Sequence, residues 1–302
     1  MKKNLLFTFF AIVMIAVVSC HRPETYIVTF DANGGTGTMP QQEFTEGEQQ
    51  ALTRNEFSRN NYLFSGWNTI NDGSGTSYSD SQTITATTDM TLYAQWRTSS
   101  GTYNGHNWVD LDLPSGTLWA TCNVGANAPE ENGDYFAWGE TTTKERYNWD
   151  NYRYCYNGEK ITKYCFNPYI GYPEHFTDNL RILEASDDAA TVNWGAGWRT
   201  PTRKDFEELA LNCTIKYWTQ NWIKGIMITS NTNGNTIFLP FAGYYDDNDK
   251  VSETYYGEYM SSCLSDHTEK LDGWEINNNR RRIVYNLRCY GLSVRPVCSR
   301  QD

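Results

Sequence analysis

The chain has 302 residues, of which 39% are hydrophobic, 15% aromatic and 20% charged, and its formal net charge is −11. This length favours two domains, the apolar content is sufficient for packed cores, and the charged fraction is too low for a disordered polyelectrolyte. The acidic balance also argues against nucleic acid as a partner, because phosphate backbones would repel the chain.

The N-terminus has the features of an export signal. A short basic segment precedes an apolar run over residues 5–18, which is too short for a membrane-spanning helix. The run ends in Val-Val-Ser-Cys at Cys20 and resembles the lipobox of bacterial lipoproteins, in which the cysteine is acylated and becomes the new N-terminus. The resemblance implies a signal peptide over residues 1–20, a membrane anchor at Cys20 and a tether over residues 21–24. An ordinary cleaved signal with a chance cysteine is the alternative.

Residues 25–97 predict a small β-rich module. Segments rich in β-branched and aromatic residues predict strands at 25–30, 62–67 and 91–96. Turn signals separate them at Asn33-Gly34-Gly35 and at residues 71–75. The motifs VTFDANGG, FSGWNT, DGSGTSY and MTLYAQW, in this order, resemble the Listeria–Bacteroides repeat of internalin-type surface proteins. The resemblance implies a β-grasp-like fold that serves as a spacer or interaction module, with no enzymatic role.

A small, polar stretch over residues 98–106 predicts a flexible linker to a second module, residues 107–302. Short β-prone segments of that module predict strands at 109–113, 117–121, 226–229, 236–239 and 292–295. The stretch 147–175 contains aromatic residues without periodicity and predicts long loops.

Two helices are predicted in the second module. One begins after Pro201, where Thr202 and Asp205 have the spacing of a capping box. Its apolar face is predicted to consist of Phe206, Leu209, Ala210 and Cys213. A shorter helix is expected around residues 187–193, capped by the acidic pair that begins it. Helices and strands together predict the α+β class.

The second module also resembles a known family. Its motifs SGTLWATCNVGA, GDYFAWGET, DDAATVNWGAGWRTPTRKDFEEL and NTIFLPFAGYYDD resemble the Fibrobacter succinogenes major paralogous domain, which occurs in exported proteins of Bacteroidetes-like bacteria and has no established catalytic role. The motifs GWRTPT, GEYMSS and GLSVRPV also resemble the C-type-lectin-like superfamily. The resemblance implies a loop-rich, C-type-lectin-like α+β domain in an outer-membrane lipoprotein that faces the cell surface or the periplasm.

Aromatic residues are the candidate ligand contacts of this module, because sugar rings stack on the faces of Trp and Tyr. Loops carry binding residues more often than cores do. The tyrosines in predicted loops or beside an acidic turn are Tyr152, Tyr154, Tyr156, Tyr169, Tyr244 and Tyr245. Core packing is an equally good interpretation of them, and it is the preferred one for Trp119, Trp138, Trp194 and Trp198. The tyrosines predict an extracellular glycan or protein ligand.

The acidic turn at Asp246, Asp247 and Asp249 is a candidate metal site, because carboxylate oxygens are the ligands that Ca²⁺ prefers. It lacks the ordered ligand spacing of an EF-hand. Asp and Asn also favour hairpin turns without a metal. A hairpin turn is therefore the preferred interpretation, structural calcium is the alternative, and no other cofactor is predicted.

The remaining cysteines raise the question of catalysis. Seven cysteines besides Cys20 are an odd number, so at least one stays free or pairs between chains. Cys289 and Cys298 resemble the C-terminal pair of formylglycine-generating enzymes, but a structural disulfide or buried thiols explain them equally well. No catalytic residue is predicted. The sequence predicts a lipid-anchored envelope protein that binds or adheres, with a structural subunit of a surface assembly or fimbria second and a formylglycine-generating-like enzyme third.

Overall fold

The computed structural model describes residues 22–300, so the predicted signal peptide and Cys20 lie outside the described part. Within these residues the chain forms two compact units, one of residues 22–60 with 64–96 and the other of residues 61–63 with 97–300. Strands hold 42% of the structure and helices 8%. The predicted α+β class, with a C-type-lectin-like helical component, is therefore wrong: the fold is mostly β. Within residues 22–300, no helix is long and apolar enough to cross a membrane.

The first unit is a mixed five-stranded sheet in the order β2-β1-β7-β4-β5, with β3 and β6 as a separate pair. Its strands are β1 (Thr25–Asp31), β2 (Gln42–Thr45), β3 (Gln50–Ala51), β4 (Tyr62–Asn68), β5 (Ser77–Tyr78), β6 (Thr83–Ile84) and β7 (Met90–Thr98). The three predicted strands are thus β1, β4 and β7, and β1 lies parallel to β7. Residues 22–96 contain no helix in the structure, so the helix of a β-grasp is missing from the described unit.

Aromatic packing explains the turn motif of the first unit. Asn33 and Gly34 adopt φ of 45° and 84°, the left-handed conformation that Asn and Gly tolerate. At Gly35, a Cβ would lie 2.6 Å from the ring of Trp96, so only glycine lets the indole lie against the turn. The indole Nε1 donates to the carbonyl of Ala32 at 2.9 Å. Trp67, which is fully buried, forms the centre of the core beside these residues.

The second unit contains three larger sheets and two hairpins: β14-β24-β10-β9-β8, β11-β23-β20-β21-β22, β15-β16-β17, β12-β13 and β18-β19. Its strands are β8 (Ser100–Tyr103), β9 (His106–Asp110), β10 (Leu118–Ala120), β11 (Tyr135–Phe136), β12 (Cys155–Tyr156), β13 (Lys160–Ile161), β14 (Trp198–Arg199), β15 (Cys213–Gln220), β16 (Ile223–Ser230), β17 (Thr236–Pro240), β18 (Tyr244–Asp246), β19 (Asp249–Val251), β20 (Tyr256–Leu264), β21 (Lys270–Asn277), β22 (Arg281–Leu287), β23 (Leu292–Ser293) and β24 (Val297–Cys298).

Strands β20, β21 and β22 form most of one sheet, and sequence patterns do not predict them. Both β20 and β21 are buried along nearly their whole length, so their side chains do not alternate between core and solvent. They also carry buried polar residues such as Glu258, Ser261 and Asp272, which interrupt any apolar run. Neither of the two signals that identify a strand from sequence is therefore present.

The helices of the second unit are short. They are α1 (Ala189–Trp194), α2 (Arg203–Asn212) and two 3₁₀ turns, Trp149–Asn151 and Ala185–Asp187. The predicted capping box of α2 is confirmed: the Thr202 hydroxyl accepts from the backbone N–H of Asp205, and the Asp205 carboxylate accepts from the N–H of Thr202. Phe206 and Leu209 are buried as predicted, whereas Ala210 is exposed. The α2 helix ends one residue before Cys213, which begins β15.

The stretch 98–106, for which the sequence predicts a flexible linker, is largely strand. Residues of β8 pair with β9 through a two-residue turn, Asn104-Gly105. Both turn residues have positive φ, of 46° and 80°, as a type I′ hairpin requires. The Asn-Gly dipeptide is the strongest short hairpin signal in a sequence. The prediction of a linker rested on the small, polar composition of the stretch and did not take this dipeptide into account.

A buried arginine organises the loops that precede β14. The Arg288 side chain is fully buried, and its Nε donates to the hydroxyl of Tyr152 at 2.9 Å. Its two terminal nitrogens donate to the carbonyls of Lys163, Tyr164 and Thr268 at 3.0–3.2 Å. The guanidinium also lies 4.9 Å from the ring centroid of Trp138. Among the described residues, no carboxylate lies within 4.0 Å of it, so carbonyls and aromatic rings stabilise the charge.

Glu258 on β20 gives the second unit a pH dependence. Burial raises the pKa of this carboxyl from 4.5 to about 7; Glu275 opposite it on β21 raises it further, whereas a hydrogen bond from Asn286 and the charge of Arg282 oppose the rise. The fold therefore favours the protonated carboxyl. The contribution of the Glu258 carboxyl to the free energy of unfolding is therefore fully present below about pH 4.5 and is lost as the pH rises through 7.

We expect Glu258→Gln to remove this pH dependence. The amide keeps an acceptor for Asn286 and carries no charge, so the variant gains up to about 3 kcal/mol over the native protein at pH 8.5 and little at pH 4. Urea unfolding at a series of pH values measures the difference. Glu207→Gln, at a half-exposed glutamate of α2, is the control. A gain at pH 8.5 no larger than at pH 4 would contradict the prediction.

Candidate functional site

The structure does not bring the predicted ligand-binding tyrosines into one cleft. Tyr152 and Tyr154 are 2% and 8% exposed and lie in the core. Tyr156 stacks on Tyr172 with ring centroids 3.9 Å apart, and Tyr169 is 80% exposed beside a separate cavity of about 190 Å³.

Tyr244 and Tyr245 are half-buried and packed against other tyrosines. Tyr244 stacks on Tyr290 at 5.2 Å, and Tyr245 stacks on Tyr147 at 5.6 Å. Their rings therefore offer little free face to a ligand. The tryptophans assigned to the core from sequence, Trp119, Trp138, Trp194 and Trp198, are all buried, as predicted.

The acidic turn is the tip of the hairpin β18–β19, in which Asp246 pairs with Asp249. The Asp247 carboxylate accepts two hydrogen bonds from Arg146, at 2.7 and 2.6 Å, and one from Asn148 at 2.8 Å. The bonds from Arg146 are the main cause that lowers the pKa of Asp247. Its oxygens thus have protein donors, and among residues 22–300 no cluster of three or more His, Cys, Asp or Glu side chains is placed to hold a metal ion.

The cysteines beyond the predicted lipobox, seven in the described chain, are all free thiols. Burial raises the pKa of the Cys289 thiol to about 12 and that of Cys298 to about 11. Both are buried to 2% exposure or less. Since the thiolate is the reactive form, these two thiols are poor nucleophiles at neutral pH, which disfavours the formylglycine-generating-like chemistry.

The tip of the hairpin β15–β16 presents an aromatic side chain that sequence reasoning missed. Gln220 pairs with Ile223, so Asn221 and Trp222 form a two-residue turn. Their φ values of 46° and 69° are those of a type I′ turn, in which glycine is the usual second residue. Trp222 is a bulky residue in the left-handed region, and its side chain is 95% exposed. Strained residues of this kind cluster at functional sites.

A carboxylate from another loop fixes this hairpin tip. Both oxygens of Glu130 accept hydrogen bonds, one from the side-chain amide of Asn221 and the other from that of Gln220, the latter at 3.1 Å. The bond from Asn221 is the main cause that lowers the pKa of Glu130. The turn that carries the exposed indole is thus held in place by specific hydrogen bonds.

The exposed indole lines a cavity of about 400 Å³, hereafter the Trp222 cavity. Its lining residues are Glu130, Glu131, Asn132, Trp222, Ile223, Lys224, Phe241, Glu253 and Thr254. Phe241 is buried, and its N–H donates to the carbonyl of Lys224 at 2.8 Å. Asn132 Nδ2 donates to Glu253 at 2.8 Å, which joins two of the loops that form the walls. An aromatic face beside polar groups in a concave site is the usual composition of a small-ligand site.

The sequence contains one signal that could have located this site. Two β-prone segments are separated by the dipeptide Asn221-Trp222, a gap of hairpin length that begins with a turn-favouring residue. The signal is weak because tryptophan stands where glycine is expected. The cavity walls come from residues more than ninety positions apart, which no local pattern indicates.

Comparison with known proteins identifies the first unit. Residues 26–95 match the family model of the Listeria-Bacteroides repeat domain, about a quarter of the chain. This confirms the resemblance seen in the motifs of that segment, and the repeat is a surface-associated domain. No curated protein and no solved structure matches the chain. The match does not extend to the second unit, for which the resemblance to the Fibrobacter domain stays a prediction.

Proposed function

We propose that this chain is a lipid-anchored protein of the bacterial outer membrane that binds a saccharide without catalysis, through the Trp222 cavity. The anchor is acylated Cys20, and the repeat unit serves as a spacer on the surface or the periplasmic face. The observation that carries the proposal is the indole of Trp222, 95% exposed on a turn conformation that costs stability. A fold retains such a residue when the ring contacts something outside the protein.

The chemistry of the cavity supports a saccharide. The apolar faces of sugar rings stack on aromatic rings, and their hydroxyl groups need both donors and acceptors. The cavity offers the indole as an apolar surface, Lys224 as a donor, and Glu131 and Glu253 as acceptors. Burial raises the pKa of the Cys289 and Cys298 thiols, which argues against thiol catalysis at these two positions.

We expect Trp222→Ala to abolish or weaken saccharide binding by roughly tenfold or more, as the loss of a central aromatic anchor does. A glycan array of residues 21–302, followed by titration of the best ligand, measures the effect. Trp218→Ala is the matched control, since Trp218 is 51% exposed on the same hairpin but does not line the cavity. Equal losses in the two variants, or binding that survives Trp222→Ala, would contradict the proposal.

A structural subunit of a surface assembly is the second candidate. Strand β15 is an edge of its three-stranded sheet, and its exposed side chains include Tyr217 and Trp218 at 41% and 51%. An edge strand with exposed aromatic residues can pair with another chain. A chain that binds no saccharide and whose sedimentation depends on concentration, with Trp218→Lys restoring a monomer, would favour this candidate.

A further inference from the structure

The three glutamates of the Trp222 cavity differ in how many of their carboxylate oxygens already accept hydrogen bonds. Glu130 uses both oxygens to hold the hairpin tip. Glu131 accepts from the N–H of Asn127 through Oε2 only, and Glu253 accepts from Asn132 and Lys250 through Oε1 only. Among the described residues, no donor bonds to the other oxygen of either glutamate. The cavity therefore presents two carboxylate oxygens with free capacity.

The charge of the cavity is also unbalanced. Three carboxylates line it, and two ammonium groups oppose them: Lys224 lines the cavity, and Lys250 donates to Glu253 at 2.8 Å, which leaves an excess of one negative charge. The whole chain has the same sign, with a formal net charge of −11. A ligand that carries carboxylate or sulfate groups meets a repulsive field at this site, whereas a cationic ligand is attracted and steered towards it.

We propose that the ligand is a saccharide with protonated amino groups, and this rests on the proposed function of the cavity. An ammonium group on a sugar ring stacked on Trp222 has three N–H donors, which suit the free oxygens of Glu131 and Glu253. Acetylation of that amino group removes its charge and two of its donors. The site therefore discriminates between an amino sugar and its N-acetyl form by charge.

Three oligosaccharides of matched length test the inference on residues 21–302 at mildly acidic pH, where sugar amines are protonated: chitosan oligomers with free amines, N-acetylated chitin oligomers with the same backbone, and oligogalacturonate. Tryptophan fluorescence and calorimetric titration measure their affinities. We expect the free amine to bind about three- to tenfold more tightly than the N-acetyl form, the size expected of a few screened ion pairs, and the uronate to bind weakest. Raising the ionic strength from about 0.05 to about 0.5 M should shrink this preference.

Substitutions of the cavity glutamates test whether the preference for the free amine arises in the cavity. E131Q and E253Q should each lower the affinity for the free amine more than the affinity for the N-acetyl form, so that the preference for the free amine shrinks. E159Q, at a glutamate that lines a different cavity, is the charge-matched control and should change neither affinity. An equal loss of affinity for the free amine and for the N-acetyl form in E131Q and E253Q would show that these glutamates do not select the charge and would overturn the assignment.

The outcomes separate the inference from the proposed function. Equal affinity for the amine and N-acetyl forms, or tighter binding of the uronate, with binding still lost in Trp222→Ala, would overturn the inference and leave the proposed function standing. Chitosan binding that survives Trp222→Ala is a general attraction between a polycation and an acidic chain and also overturns it. No binding of any of the three would count against the proposed function and the inference together.

Discussion

Replacing Arg288 with methionine is expected to lower the free energy of unfolding of the second unit by about 3–5 kcal/mol. The native guanidinium is fully buried and donates to three carbonyls and to the hydroxyl of Tyr152. Methionine fills much of the volume but donates nothing, so the three carbonyls stay buried without their donor. Each buried polar group left unsatisfied costs about 1–3 kcal/mol.

Urea unfolding followed by tryptophan fluorescence measures this loss, and amide hydrogen exchange assigns it to a unit. Arg181→Met is the matched control, because Arg181 is half-exposed and pairs with the fully exposed Asp266 at 3.7 Å, and such a surface ion pair contributes at most about 1 kcal/mol. If Arg288→Met does not fold, Arg288→Lys is measured instead. Lysine keeps the positive charge but loses most of the hydrogen bonds that the guanidinium group donates. A loss below about 1 kcal/mol in either Arg288 variant would show that the buried arginine is not needed for the loops.

Replacing Trp222 with glycine is expected to have opposite effects on stability and on binding. Glycine adopts the left-handed turn without strain, so the second unit gains about 0.5–1 kcal/mol. The same change removes the exposed indole, and saccharide affinity falls by roughly tenfold or more. A variant that is more stable and inactive is the expected signature of a residue kept for its function.

Trp222→Ala separates the two effects. Alanine loses the ring but keeps a Cβ in the strained turn, so binding falls as in the glycine variant while the stability gain is absent. Thermal unfolding and ligand titration on the three proteins give both quantities. A glycine variant less stable than the native protein would show that the indole packs on the fold, and it would remove the main argument for a ligand at this site.

Local signals predicted local structure well in this chain. The capping box at Thr202 and the strand segments of the first unit are each determined by residues within one element, and the structure has them as expected. The fold class was wrong because most strands of the second unit are either very short or buried on both faces with polar side chains, as Glu258 illustrates. Such strands lack the alternation from which a sheet is recognised.

The candidate site could not be predicted from loop composition for a different reason. Tyr152 lies in an aromatic-rich loop, but the hydrogen bond that draws it into the core comes from Arg288, 136 positions away. Trp222 was not selected, although its exposure exceeds that of every predicted tyrosine, because its cavity is completed by distant loops. Long-range contacts decide which aromatic residues a loop buries and which it exposes.

The fold of the described chain is held together without a cross-link between its cysteines. Exported proteins of modest size often depend on disulfides, and hence on an oxidising catalyst, to reach a stable state. Here aromatic packing, the arginine-centred loops and extensive strand pairing hold the fold with every described cysteine reduced. The fold of the described residues therefore does not depend on the formation of a disulfide bond.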